Sequence, residues 1–246
     1  MTKARFETVP VESALRPVSL VAREWLTTGY LRLRLSGPQL IGFNSPGADD
    51  HVRIFIAPPG VPAPTTPEAW RELDSREYTP LNFGADWVEF DFVVHGDGPG
   101  STWAVTAPIG AAAAIGGPRR SNAIVGTPDA WFLAGDETAI PAISRFLRER
   151  DPATTARVLV EVDPANELAP IPTDPRVELT LLVRGTDSLA EALAALQPSD
   201  RPNGALLGFV AAEAAIVPVA RELLLVRWGL APESTITKGY WRIDPK

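Results

Sequence analysis

The chain has 246 residues, 45% of them hydrophobic and 22% charged, enough to bury two cores of ordinary size or one large one. A net charge of −7 argues against non-specific nucleic-acid binding. The absence of cysteine removes disulfides, iron–sulfur clusters and thiolate metal sites, and with His51 and His95 the only histidines no metal centre is expected.

The N-terminal stretch Met1 to Arg16 is mixed and polar, without the apolar core of a signal peptide. No apolar run approaches bilayer-spanning length, so a soluble, cytoplasmic protein without a membrane span is expected. The segments 18–23, 30–35, 51–56 and 87–94 alternate apolar and polar residues, the period of half-buried strands, which predicts an antiparallel barrel or sandwich. Prolines crowd Pro58–Pro67 and Pro164–Pro175, read as loops between elements. The glycine-rich run at Gly98 and Gly100 leads into a short helical stretch over 102–107. Near Ser121–Pro128 the rhythm changes. Strands are predicted at 131–134, 157–162, 177–183 and 205–210, and helices at 139–150, 188–196 (Ser188 as N-cap, Glu191 at capping-box spacing) and 213–227. Thr235–Gly239 leads to a closing Tyr-Trp-Arg. Alternating β and α implies a parallel sheet with helices on its faces. The expected fold is a β-barrel domain over 1–125 plus an α/β domain over 126–246, a layout shared by flavin reductases of the ferredoxin-reductase type, which at this level is an analogy of fold alone.

Several stretches carry chemistry. On an extended strand, Arg76-Glu-Tyr78-Thr79 puts Arg76 and Tyr78 on one face, a cation and a flat ring of the kind a flavin nucleotide needs; a surface Arg beside a strand Tyr is the plainer alternative. Gly98, Gly100 and Ser101 precede a helix start, where free N–H groups suit a pyrophosphate; an ordinary glycine turn fits the same letters. His95, at a strand end, reads as a flavin contact rather than a proton relay, and His51 as a turn residue before a strand. In Gly135-Asp136-Glu137-Thr138 a strand runs into a tight turn and a helix, where open α/β sheets place ligands. The acidic pair stands where a phosphate loop would carry glycines, so tight pyrophosphate binding is not expected there. Lys238-Gly-Tyr240-Trp241-Arg242 sets two aromatics beside two cations, suited to a flat anionic ligand or to anchoring the tail.

Taken together, Asp49-Asp-His-Val52, Arg76-x-Tyr78-Thr79-Pro80, Asp91-Phe-Val-Val-His95-Gly, Gly98-Pro-Gly-Ser101-x-Trp103-Ala104, Gly117-Pro-Arg119, Ala134-Gly-Asp-Glu-Thr-Ala-Ile-Pro141 and Gly239-Tyr-Trp-Arg242 resemble the siderophore-interacting protein family, the FAD-binding ferric-siderophore reductases. The resemblance runs from about Val18 to Arg242. It implies a cytoplasmic, monomeric flavoprotein taking electrons from NADPH, NADH or a reduced ferredoxin and passing them to a ferric siderophore. It further implies that Arg76, Tyr78, Thr79, His95, Gly98, Gly100, Ser101, Thr102 and Trp241 hold FAD. Asp136, Glu137, Thr138 and Glu213 would meet the donor, and Arg119, Lys238 and Arg242 would attract the anionic chelate. The chemistry is coherent by itself: a nicotinamide gives two electrons as hydride, Fe(III) takes one, and a flavin bridges the two. Reduction loosens iron because hard anionic oxygen ligands hold Fe(II) more weakly than Fe(III), and no protein acid or base is required.

One position departs from the family pattern. An arginine commonly follows Tyr-Thr-Pro; here Leu81 stands there, followed by Asn82. If the missing cation weakens FAD binding, Leu81→Arg should tighten it. Two alternatives to the reductase remain open: a flavin reductase of another acceptor, and a non-catalytic flavin- or siderophore-binding protein.

Overall fold

The computed structural model describes residues 3–58, 60–94, 96, 98–166 and 169–243. It divides into two compact units, residues 8–122 and residues 1–7 with 123–246.

The first part of the chain runs β1 (Arg5–Pro10), β2 (Leu15–Trp25), β3 (Tyr30–Ser36), β4 (Val52–Ile56), α1 (Pro67–Arg71), β5 (Ser75–Tyr78), β6 (Asn82–Phe83), β7 (Trp87–Val93), α2 (Pro99–Thr106), β8 (Ala112–Gly116) and β9 (Arg120–Val125). β1 and β9 form a two-stranded ribbon, while seven strands make one sheet in the order β5-β4-β8-β2-β3-β7-β6. Its neighbours are antiparallel, as between Leu33 and Phe90 of β3 and β7. The alternation does its work directly. Leu31, Leu33, Leu35, Val88, Phe90 and Phe92 join one buried cluster with Val52, Ile54 and Ile56. On the other face of the sheet Arg32 and Arg34 meet Asp91 and Glu89, each pair at 2.7 Å. Among the described residues no hydrogen-bonded ladder closes this sheet into a complete barrel; the Tyr78 ring of β5 instead lies 4.0 Å from the Phe92 ring of β7, so a half-barrel closes through side chains.

The second part runs β10 (Ala130–Asp136), α3 (Ile140–Glu149), β11 (Thr155–Val162), β12 (Val177–Val183), α4 (Leu189–Ala195), β13 (Leu206–Glu213), α5 (Ile216–Arg221) and β14 (Thr235–Trp241). Its sheet, β12-β11-β10-β13-β14, is parallel throughout. The central strand β10 is buried along its length, as expected where helices cover both faces. Phe132, Val210, Leu189, Leu193 and Leu223 pack on the α4–α5 side. Trp131 and Phe209 face α3 instead, each stacked on Phe146 at 5.3 and 5.0 Å.

Three features depart from expectation. β8 is a strand of small residues, Ala-Ala-Ala-Ile-Gly, that alternation does not reveal. The helix expected over 213–227 begins later and changes pitch: Glu213 ends β13, and a π-helix over Glu222–Arg227 follows α5. There the Trp228 N–H reaches the Leu223 carbonyl at 2.9 Å, and the indole packs on Phe132 at 4.8 Å. Residues 3–7, placed with the barrel by sequence, group with the α/β unit. Phe6 is buried, its ring 6.3 Å from Trp131 and 6.1 Å from Phe146, a better apolar environment than solvent offers. Among the described residues no helix is long and apolar enough to cross a membrane.

Candidate functional site

In the half-barrel, β5 presents Arg76 and Tyr78 to the start of α2. A Cβ added to Gly100 would lie 2.4 Å from Tyr78 Oη and 3.4 Å from Arg76 Cγ, so both side chains converge on this helix terminus and only glycine permits the approach. Gly98 is the N-cap and gives no side-chain hydrogen bond; Pro99 stands in the first turn, and a Cβ on Gly98 would meet nothing within 4 Å. This helix start is open in front at Gly98 and flanked by the exposed Arg76 guanidinium, features of a kind that suits an anion. Arg76 Nη1 donates to its neighbour's Ser75 carbonyl at 2.8 Å. Tyr78 is fixed by Phe90 and Phe92, and burial pushes its phenol well above the ordinary range, so it stays neutral.

The other expected flavin residues divide. Thr79 is buried beside Tyr78. Ser101 is buried, and its hydroxyl donates to the Val93 carbonyl at 3.3 Å, tying α2 to β7. Thr102 is exposed on α2, and its carbonyl accepts the Thr106 hydroxyl at 2.8 Å. His95 lies outside the described residues. Leu81, where the family pattern would carry an arginine, is 4% exposed, and its N–H bonds the Glu89 carbonyl at 2.9 Å. An arginine there would start from an enclosed position, which carries a desolvation cost. Arg119 is exposed just before β9.

In the α/β unit the loop after β10 begins with a close approach: a Cβ on Gly135 would lie 2.4 Å from Ala139 Cβ and 2.5 Å from the Ala211 carbonyl oxygen. Both members of the acidic pair that follows are buried. Asp136 is 3% exposed. Its Oδ1 accepts the Thr138 N–H at 2.9 Å and the Thr138 hydroxyl, and its Oδ2 accepts the Trp241 indole N–H at 2.7 Å. Burial raises its pKa, opposed by those hydrogen bonds. Glu137 is 2% exposed and receives Arg184 through both oxygens, at 3.2 and 2.7 Å, along with the Asp163 N–H. The Glu213 carboxylate accepts the Ala215 N–H at 2.6 Å and the Ile243 N–H at 3.3 Å. These carboxylates organise the carboxyl edge of the parallel sheet because the fold's own donors reach them first. Trp241 is thereby anchored to Asp136, and the residue remains 41% exposed. Lys238 is half-buried on β14 and Arg242 exposed after it. Among the described residues no cluster of His, Cys, Asp or Glu is arranged to hold a metal ion.

The functional role of Gly100, as the floor under Tyr78, and that of Arg184, as the partner of Glu137, both escaped sequence reasoning. The first had a signal in the Gly-x-Gly spacing; the second had none, since the partners lie 47 positions apart.

A family model described as siderophore-interacting protein matches residues 128–244, and one described as siderophore-interacting FAD-binding domain matches residues 19–122. The chain is 29% identical over 243 residues to a ferric vibriobactin reductase of Vibrio cholerae, covering 92% of this chain and 89% of that protein. It is 33% identical over 141 residues to an NADPH-dependent ferric-chelate reductase of Escherichia coli, covering 54% and 56% respectively. The crystal structure of a siderophore utilization protein from T. fusca superposes with a TM-score of 0.82 at 28% identity, covering 99% of this chain and 98% of that one.

Proposed function

Because the chain belongs to the siderophore-interacting protein family, we propose that it is an FAD-dependent reductase that draws electrons from NAD(P)H and delivers them to a ferric siderophore. The observation that carries this reading is the convergence of Arg76 and Tyr78 on the glycine-opened start of α2. That arrangement fits FAD: a cation and a glycine-opened helix start for the pyrophosphate, and a rigid neutral ring beside them.

When bound, FAD accepts two electrons from a nicotinamide and passes them on singly. The protein's own part is placement. Arg76 offsets phosphate charge, Gly98 and Gly100 let the ligand approach the backbone, and Tyr78, seated on Phe92, keeps the cleft wall in place. The carboxyl edge of the parallel sheet, ordered by Asp136, Glu137 and Glu213, is where an open α/β unit receives the nicotinamide donor. The exposed cations Arg119 and Arg242, with half-buried Lys238, favour an anionic ferric chelate. The iron is substrate here: one-electron reduction of Fe(III) to Fe(II) weakens its hold on hard oxygen ligands without a covalent bond of the chelator being cut. No side chain need move a proton, consistent with Tyr78 held neutral.

The visible spectrum of the purified protein, and of the apoprotein titrated with FAD, tests the reading. Bound flavin, or stoichiometric uptake of FAD that weakens in Arg76→Ala, is the expected result; a protein that neither carries nor takes up flavin refutes it.

A further inference from the structure

The carboxyl ends of β10, β11 and β12 meet in one charged network. Arg184, directly after β12, donates from Nη1 and Nη2 to Glu137 at 3.2 and 2.7 Å and from Nε to Glu161 Oε1 at 3.0 Å. Glu161 Oε2 accepts the Leu189 N–H at 2.7 Å, fixing the start of α4. Asp163, at the end of β11, gives its N–H to Glu137 and uses Oδ1 to accept the Ala165 N–H at 2.9 Å. Asp187 uses Oδ2 to accept the Val183 N–H at 2.9 Å. Two carboxylates thus hold the guanidinium, and two more, Asp163 and Asp187, stand on the turns that flank it. Glu137 is beneath it, its side chain 3% exposed against 41% for Arg184.

This corner is where an open, doubly wound sheet meets the adenosine ribose of a dinucleotide. An acidic residue there accepts from a ribose 2′-hydroxyl, whereas a free arginine accommodates a 2′-phosphate. Arg184 is not free: three of its five N–H groups are committed to two carboxylates. A dianionic 2′-phosphate would enter an excess of negative charge. A ribose diol would instead find the second oxygens of Asp163 and Asp187, which have no hydrogen bond among the described residues. We propose that the donor site selects a dinucleotide with a free 2′-hydroxyl, NADH rather than NADPH, through the Glu137–Arg184–Glu161 network and its flanking Asp163 and Asp187. The inference rests on the donor reading above and assigns that site's preferred ligand.

Calorimetric titration of the FAD-loaded full chain with ADP-ribose and with 2′-phospho-ADP-ribose tests it without any turnover. ADP-ribose should bind about tenfold more tightly at low salt, with the gap narrowing as ionic strength rises. Asp163→Arg, an exposed position, should improve binding of the phosphorylated probe by roughly fivefold and weaken that of ADP-ribose, which loses an acceptor for its diol, so that the preference narrows or reverses. Equal or tighter binding of 2′-phospho-ADP-ribose by the parent protein overturns the selectivity and leaves the donor site standing. An Asp163→Arg variant that shifts both probes alike overturns it as well. Binding of neither probe refutes the donor site itself, and the selectivity with it.

Discussion

Gly100 and Tyr78 make a sharp test of the flavin cradle. A Cβ at position 100 would lie 2.4 Å from Tyr78 Oη, about an ångström inside ordinary contact, while the next neighbours, Arg76 Cγ and Tyr78 Cζ, lie at 3.4 and 3.7 Å. Tyr78 has little room to yield, because its ring is packed at 4.0 Å on Phe92 and at 6.4 Å from Phe90. Gly100→Ala should therefore cost about 1–3 kcal/mol of stability through overpacking. It should also displace the wall of the cradle and raise the Kd for FAD about tenfold, equivalent to about 1.4 kcal/mol. In a Tyr78→Phe background the offending oxygen is gone and the closest neighbour becomes the 3.4 Å contact, so the same alanine should cost little. Thermal melts and FAD fluorescence titrations of the parent, both single variants and the double variant give a coupling energy of about 1–2 kcal/mol on this reasoning. Additive effects, with Gly100→Ala equally damaging in both backgrounds, would refute the geometry.

Other substitutions probe separate links. Leu81→Arg should lower the melting temperature, by an amount corresponding to about 2 kcal/mol or more, without tightening FAD, because the side chain it replaces is buried; a stable variant with tighter FAD binding would show that the position reaches the ligand. Trp241→Phe leaves Asp136 Oδ2 without its 2.7 Å donor and should cost about 1–3 kcal/mol, read by denaturant unfolding. Phe6→Ala should cost about 3 kcal/mol and speed hydrogen exchange within residues 123–246 rather than 8–122. The Glu89 carboxyl is pushed up by burial, but its bonds with Asn82 and Arg34 prevail and leave its pKa below the usual range. A carboxylate depressed in the folded state gives stability that is complete above its unfolded value near 4.3 and disappears as pH falls through the folded one, so melts of Glu89→Gln between about pH 5 and pH 3 should show a shallower decline than the parent.

Much of the architecture is legible in the letters because it follows from periodicity. The alternation of Tyr30–Leu35 and Trp87–Val94 separates a core face from the Arg32–Asp91 and Arg34–Glu89 face, and Ser188 caps α4 by accepting the Glu191 N–H at 3.4 Å. Local pattern fails where small residues form a strand, as in β8, or where tertiary packing changes helical pitch, as at Glu222–Arg227. The site shows the same division. Arg76 and Tyr78 share a face because strand geometry requires it, and Gly100 advertises a close approach. The burial of Asp136 and Glu137 depends on Trp241 and Arg184, which lie 105 and 47 positions away, and a charge read in isolation looks solvated. Leu81 illustrates the converse: a missing cation is visible in sequence, but only the fold shows that the position is enclosed.

Anaerobic turnover with a ferric catecholate chelate tests the central claim most directly, with a nicotinamide donor and a chromogenic Fe(II) trap present. The account predicts donor-dependent bleaching of bound FAD, recovery of the oxidised flavin spectrum on adding the chelate, and two trapped Fe(II) for each nicotinamide oxidised, as electron balance requires. Flavin that is bleached by the donor but returns no electrons to the chelate, with no Fe(II) trapped, would contradict it.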